Sequence, residues 1–317
     1  MDKLLHVSAS PHVRDSRTTQ SLMGDVLIAL LPAGIAGVYF FGMNALLLIV
    51  VGVVSAVAAE FLFQKAAKRK VTVTDLSAAV TGLLIAYNVP STAQWWQVMI
   101  GSVFAIVIVK QLFGGLGFNV VNPALAARAV LQASWATSIN TFYVDGVSSA
   151  TPLAIMKAGG PATATYSVMD MFLGKTAGCI GETSALLLIL GGVYLLCRRA
   201  IKWQIPVCYI GTVAVFMGIY ALTSGKTIDG YMLPQLLSGG LMLGAIFMAT
   251  DYVTGPMTGL GQIIFGVGAG VLTSIIRLWG GYPEGVSYSI LLMNLCAPLI
   301  DKFTKPRIYG SEVKSNA

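Results

Sequence analysis

The chain has 317 residues, of which 56% are hydrophobic and only 10% charged, and its mean hydropathy is +0.78. Soluble domains carry roughly 25% charged residues, so the composition excludes an ordinary soluble protein and specifies one that crosses a bilayer several times. The net charge of +7 then belongs to Lys and Arg gathered in cytoplasmic loops; the bilayer, not nucleic acid, is the expected partner.

Residues 1–21 read as a polar cytoplasmic tail with no secretory signal, because the first apolar run is long enough to span. Five spans follow within 22–135, at about 22–42, 44–63, 75–89, 95–113 and 118–135. The third is short and closes on Asn88-Val89-Pro90. Residues 136–176 form the longest polar interval, expected as an outward-facing loop. A second set within 177–303 has spans at about 178–197, 203–222, 235–250, 261–279 and 286–303, and 304–317 is a second cytoplasmic tail. The expected fold is an all-α polytopic membrane protein of about ten transmembrane helices.

With the N-terminus inside and ten crossings, fifteen Lys and Arg fall on the cytoplasmic side and four (Lys157, Lys175, Lys226 and Arg277) outside. That bias supports both the span count and the direction, with both termini cytoplasmic. The stretch Gly82 to Asn88 followed by Pro90 is echoed by Gly244 to Asp251 followed by Pro256, and the fifth and tenth spans each carry an asparagine, Asn122 and Asn294. Two sets with an odd number of spans have opposite topology, so two inverted five-helix repeats are expected.

Polar groups within or beside spans are the candidate functional residues, since each is costly in lipid. Arg128, inside the fifth span, calls for an acid or a phosphate. Asn119 and Asn122 either cap that span or hydrogen-bond a ring cofactor. Glu182, with Thr183 and Ser184, either caps the sixth span or binds an ion. Asp75 reads as a cap and Asp251 as a boundary residue. The four cysteines are scattered with no CxxC, so no metal site is expected. There is no GxGxxG after a strand and no Walker loop, and the two histidines both lie in the N-terminal tail. No nicotinamide-binding domain, hydrolase triad or catalytic side chain can therefore be assembled.

The central polar interval contains Asp145-Gly146-Val147-Ser148-Ser149-Ala150-Thr151-Pro152. Thr-Pro is a common helix start, with Thr as N-cap and Pro at the first helical position. The pattern Asp-x-x-Ser/Thr-x-Ala-Thr also resembles the motif on which a flavin transferase joins FMN, through its phosphate, to a threonine hydroxyl.

Together with Ser10-Pro11-His12, the run from Asp25 to Pro32, the run from Asp75 to Leu84, Phe118-Asn119, Asn122-Pro123 and Gly181-Glu182-Thr183-Ser184, this motif resembles a known family over nearly the whole chain. The family is that of the D subunit of the Rnf complex, an ion-translocating ferredoxin:NAD oxidoreductase, and the B subunit of the sodium-pumping NADH:quinone oxidoreductase. The modest length favours the first. One departure is Ser149, where the family usually has Gly.

The resemblance implies a subunit of the bacterial or archaeal cytoplasmic (inner) membrane that carries electrons and is coupled to Na+ or H+ translocation. It implies FMN on Thr151 as a phosphoester facing outward, with Asp145, Ser148, Ser149 and Ala150 as its motif. It also implies a second, non-covalent flavin such as riboflavin. The implied partners are the A, B, C, E and G subunits and the flavin transferase. The rival reading is an inverted-repeat channel or transporter without a redox role.

Overall fold

The computed structural model describes residues 17–144, 147–182 and 184–305. Asp145, Thr183 and most of both tails lie outside the described residues. The architecture is helical throughout, apart from a short antiparallel ribbon in which β1 (Tyr143–Val144) pairs with β2 (Val147–Ser148).

The first set of helices is α1 (Thr19–Phe41), α2 (Met43–Ala66), α3 (Ser77–Tyr87), α4 (Trp95–Gln111) and α5 (Pro123–Ser134). Short pieces occupy the expected loop: α6 (Ala136–Ile139), α7 (Pro152–Lys157) and α8 (Val168–Leu173). The second set is α9 (Ala185–Cys197), α10 (Gln204–Thr223), α11 (Ile228–Leu237), α12 (Leu241–Met248), α13 (Gly259–Trp279) and α14 (Val286–Phe303).

Five of these helices, α1, α2, α10, α13 and α14, are long and apolar enough to cross a membrane unbroken, and α11 with α12 makes a sixth candidate bent by 55°. The chain is thus a multi-pass membrane protein with fewer unbroken span-length helices among the described residues than the sequence suggested. The difference lies in helices that stop midway. At 1.5 Å per residue, α3 is about 16 Å long, roughly half of a hydrocarbon core.

Each interruption has a local cause. Helix α3 ends at Asn88 before Val89-Pro90, because the residue preceding a proline is pushed out of the α region. Helix α5 begins late, at Asn122-Pro123, where Asn122 Oδ1 accepts from the Ala124 and Leu125 amides. Helix α9 begins at Ser184, whose Oγ accepts from the Leu187 amide. The bent pair breaks at Gly239 and Gly240, with φ of 75° and 65°, a left-handed conformation that glycine adopts without steric cost.

Helices meet through small residues, as is usual in lipid. A Cβ on Gly82 of α3 would stand 2.3 Å from the Gly52 carbonyl oxygen of α2, and one on Gly191 of α9 would stand 2.4 Å from that of Ala29 on α1. Ile28, Leu31, Ile35 and Tyr39 leave one face of α1 exposed, and Val207, Val215 and Ile219 do so on α10. Such stripes are the natural boundary with acyl chains.

Polar side chains turn inward instead. Tyr209, Thr273 and Ser289 join α10, α13 and α14 through three hydroxyl contacts of 2.6–2.9 Å. Lys110, counted from sequence among the charges on the cytoplasmic side, lies buried at the end of α4 with its Nζ 2.9 Å from Glu60 Oε1 of α2. Its Nζ also donates to Ser77 Oγ. The last eight residues of α4, Phe104–Gln111, are π-helical.

Candidate functional site

Thr151 is 6% exposed and is the N-cap of α7, its Oγ1 accepting from the Ala154 amide at 3.2 Å. The backbone leading to it is fixed by Ser149 N–H donating to the Phe142 carbonyl and by the Tyr166 hydroxyl donating to the Ala150 carbonyl. Ser148 belongs to β2. Beside this segment opens a cavity of about 610 Å³, lined by Ser149, Ala150 and Thr151 and by Gln132, Asn140, Tyr282 and Glu284. That volume lies within the roughly 300–1,000 Å³ of pockets that hold organic ligands.

One wall of the cavity is the link 280–285 between α13 and α14. Lys157, the last residue of α7, donates to the Gly280 and Tyr282 carbonyls, so the wall and the threonine-bearing helix are tied together. Tyr282 stacks on Tyr288 with ring centroids 5.3 Å apart. Glu284 ion-pairs with Arg128, whose other terminal nitrogen donates to Asn88 Oδ1 at 2.8 Å. The acid partner expected for Arg128 is therefore a residue 156 positions away.

Behind Arg128 lies the break of the second set. Glu182 does not cap α9, a role taken by Ser184. It lies instead against the Gly239 amide and near Gly240. Arg277, counted from sequence outside the membrane, is buried in the last turn of α13. It donates to the Gln235, Ser238 and Gly239 carbonyls and to Gln235 Oε1, holding the broken end of α11 by its free acceptors.

Asn119 and Asn122 are elsewhere. Asn122 and Gln132 lie near opposite ends of α5, about 15 Å apart along its axis at 1.5 Å per residue. The two asparagines line a second cavity of about 80 Å³ with Thr81, Lys110, Asp251 and Phe247. Asn122 Nδ2 donates to the Met248 carbonyl, Asn119 Nδ2 to that of Val121. Asp75, expected as a cap, stands one residue before the N-cap of α3, which is Leu76; its Oδ1 accepts from the Ser77 amide two residues on.

The candidates thus fall in three places: Ser149, Ala150 and Thr151 at the large cavity, Arg128 and Glu182 at the break, and Asn119 and Asn122 at the small cavity.

Comparison with known proteins adds the decisive observation. The sequence model of the NQR2, RnfD, RnfE family matches residues 6–310. The chain belongs to this family. It is 52% identical to the D subunit of the Na(+)-translocating ferredoxin:NAD(+) oxidoreductase complex of Acetobacterium woodii, over 99% of this chain and 98% of the relative. It is 47% identical to the D subunit of the proton-translocating ferredoxin:NAD(+) oxidoreductase complex of Clostridium ljungdahlii, over 96% of each. A more distant relative, the D subunit of the ion-translocating oxidoreductase complex of Citrobacter koseri, is 36% identical over 97% of this chain and 99% of its own length.

Within this family member, Glu284, Tyr282, Lys157 and Asn88 are the site residues that sequence reading missed. A signal was available for three of them. Gly280-Gly281-Tyr282-Pro283-Glu284-Gly285 is a turn-forming link with an acid and an aromatic side chain at a span boundary. Lys157 is the last residue of the short helix that Thr151 caps.

Proposed function

We propose that this chain is the membrane electron-carrier subunit of an ion-translocating ferredoxin:NAD+ oxidoreductase, with FMN esterified through its phosphate to Thr151. The observation that carries this reading is the coincidence of three things at one residue. The flavin-attachment pattern ends on Thr151, Thr151 borders a cavity of about 610 Å³, and the chain matches the D subunits named above along nearly its full length.

When bound, FMN supplies one-electron chemistry, and the protein supplies position and insulation. Thr151 Oγ1 would be the ester oxygen, and the threonine stays fixed as the cap of α7. Lys157 clamps the link 280–285 across the cavity, which sets the distance from Thr151 to Tyr282. Tyr282, supported by Tyr288, offers an aromatic face, while Gln132 and Asn140 offer donors and acceptors to a ring edge. Ser149 keeps the backbone beside the threonine free of bulk.

On this reading the Thr151 end faces outward, both termini are cytoplasmic, and the two sets of helices are inverted repeats. Support for the repeat comes from self-mated contacts: α1 packs on α9, the first helix of each set, and α5 packs on α14, the last. Such contacts fit a pseudo-two-fold axis between the sets. A second, non-covalent flavin such as riboflavin is part of this reading but is not assigned to the small cavity, whose free volume of about 80 Å³ is well below the roughly 300–1,000 Å³ of pockets that hold organic ligands.

The partners on this reading are the A, B, C, E and G subunits of the complex and the flavin transferase. The relatives named for sodium and for proton leave the ion open, and ion uptake by proteoliposomes at fixed pH with and without Na+ decides it. Broken helices also serve transporters, but a transporter has no use for an attached redox group. Peptide mass spectrometry of the chain made with its flavin transferase tests the attachment. The peptide containing Thr151 gains the mass of FMN less water, and an unmodified peptide under those conditions removes the proposal.

A further inference from the structure

We infer that the groove between α9 and α10 is a binding site for one anionic phospholipid, with an acyl chain in the groove and the phosphate on Arg199 and Lys202. Helices joined by a link as short as 198–203 ordinarily pack along each other. Here both pack on the Gly244–Met248 segment instead, and the space left between them is a cavity of about 430 Å³. None of the ten residues that line it is polar. From Ile189 to Leu196 it follows α9 for about 10 Å at 1.5 Å per residue.

Glycines shape the groove. A Cβ on Gly192 would stand 2.8 Å from Ile246 Cγ2, so α9 lies close upon Ile246, while a Cβ on Gly211 would meet nothing within 4 Å. Helix α10 therefore leaves open space where a larger side chain would close it. Val193, Leu196 and Val207 line the groove and are themselves exposed, so it opens sideways toward the bilayer.

One end of the groove is basic. The link Arg198-Arg199-Ala200-Ile201-Lys202-Trp203 holds three cations and no acid. Ile201 lines the groove and adjoins Lys202, with Arg199 two residues before it. Arg198 is paired with Asp25 at 3.3 Å. Arg199 and Lys202 are exposed and have no carboxylate partner among the described residues. Arg17 brings a further cation to the link, donating to the Arg198 carbonyl at 2.7 Å. Trp203 is also exposed, a side chain that commonly sits at headgroup level.

An apolar slot that ends on unmatched cations fits a molecule with the same two parts, an acyl chain and a phosphate. Basic pockets between membrane helices bind anionic headgroups for this reason, and the orientation proposed above puts this end on the cytoplasmic side, where such lipids add to the attraction. A partner subunit's helix, about 10–12 Å across, would lie over a groove of this size and not in it. Ile246 belongs to the bent pair α11 and α12, so the acyl chain packs against the helix that carries the break. The lipid site stands on this geometry and not on the flavin, and its test reads no flavin.

The test is photolabelling of the intact purified complex in phosphatidylcholine vesicles. The probe is phosphatidylglycerol with a diazirine in one acyl chain, and labelled positions are read by peptide mass spectrometry. Label is expected on 189–196 and 206–211. Unlabelled phosphatidylglycerol is expected to compete about thirtyfold better than phosphatidylcholine, the effect of two cations near an anionic headgroup. In Arg199→Gln and in Lys202→Gln the competing concentration is expected to rise about fivefold each. Gly211→Leu fills the groove with the charges intact and should remove the label there, so the test does not rest on the charge variants assembling. Equal label from the same diazirine on phosphatidylcholine would mean ordinary bilayer contact. An unlabelled groove in the complex would mean that a partner subunit covers it. Either result, or labelling unaltered by all three variants, would overturn the site.

Discussion

Thr151 carries two roles that a single atom can separate. As the cap of α7 its hydroxyl satisfies one helix N–H, and replacing it with alanine costs about 1 kcal/mol. Thr151→Ala should therefore still fold and assemble, with a slightly lower melting temperature, while Thr151→Ser keeps the cap. A variant that loses the whole protein from the membrane would mean Thr151 is needed for the fold itself. The Glu60–Lys110 pair makes a harsher prediction. Lys110→Met leaves a buried carboxylate without its cation and should cost about 3–5 kcal/mol, seen as early thermal aggregation in detergent. Glu60→Gln with Lys110→Met should recover most of that loss, and equal damage from the single and double variants would contradict the pairing. The threonine was legible in the sequence because its motif is local. Glu284 was legible only as an acid at a span boundary; its pairing with Arg128, 156 residues away, was not, because nothing local selects which acid meets that arginine.

At the scale of elements, apolar runs located the helices but not their interruptions. Hydropathy reports how much of a stretch prefers lipid, and Ser238-Gly239-Gly240 sits inside a stretch oily enough to read as one straight span. Proline and asparagine were better guides, since Asn88-Val89-Pro90 and Asn122-Pro123 mark the end of α3 and the start of α5. The break makes a mechanical prediction. A Cβ on Gly239 meets Leu153 at 2.0 Å and must adopt a φ of +75°, so Gly239→Ala should displace α7. Proteolysis of the 144–157 segment should then become faster than in the wild type, and an unchanged rate would mean that α7 does not rest on the break. Helix α8 has its own dependence on pH. Hydrogen bonds from Ser167 hold the Asp170 carboxyl below the usual carboxylate range. Their contribution is present above the ordinary carboxylate pKa and is lost as pH falls through the depressed one. Amide exchange at the start of α8 should therefore speed up only in strong acid, and in Ser167→Ala that dependence should disappear.

For the whole molecule, the polar interior and apolar exterior are what a bilayer demands, and composition alone foretold them. The proposed repeat and orientation put Ser149 outside and Lys68 inside. In a chain whose exposed cysteines, Cys197 and Cys296, have been replaced, a cysteine at position 149 should react with an impermeant maleimide in intact cells. One at position 68 should react only after permeabilisation, and the reverse pattern would invert the topology. The central claim is that this membrane frame exists to hold a flavin on one threonine. Its most direct test is in-gel flavin fluorescence of the denatured chain, co-expressed with its flavin transferase, beside the Thr151→Ala control. A fluorescent wild-type band and a dark mutant band are expected. A dark wild-type band, or a mutant band as bright as the wild type, would contradict the claim.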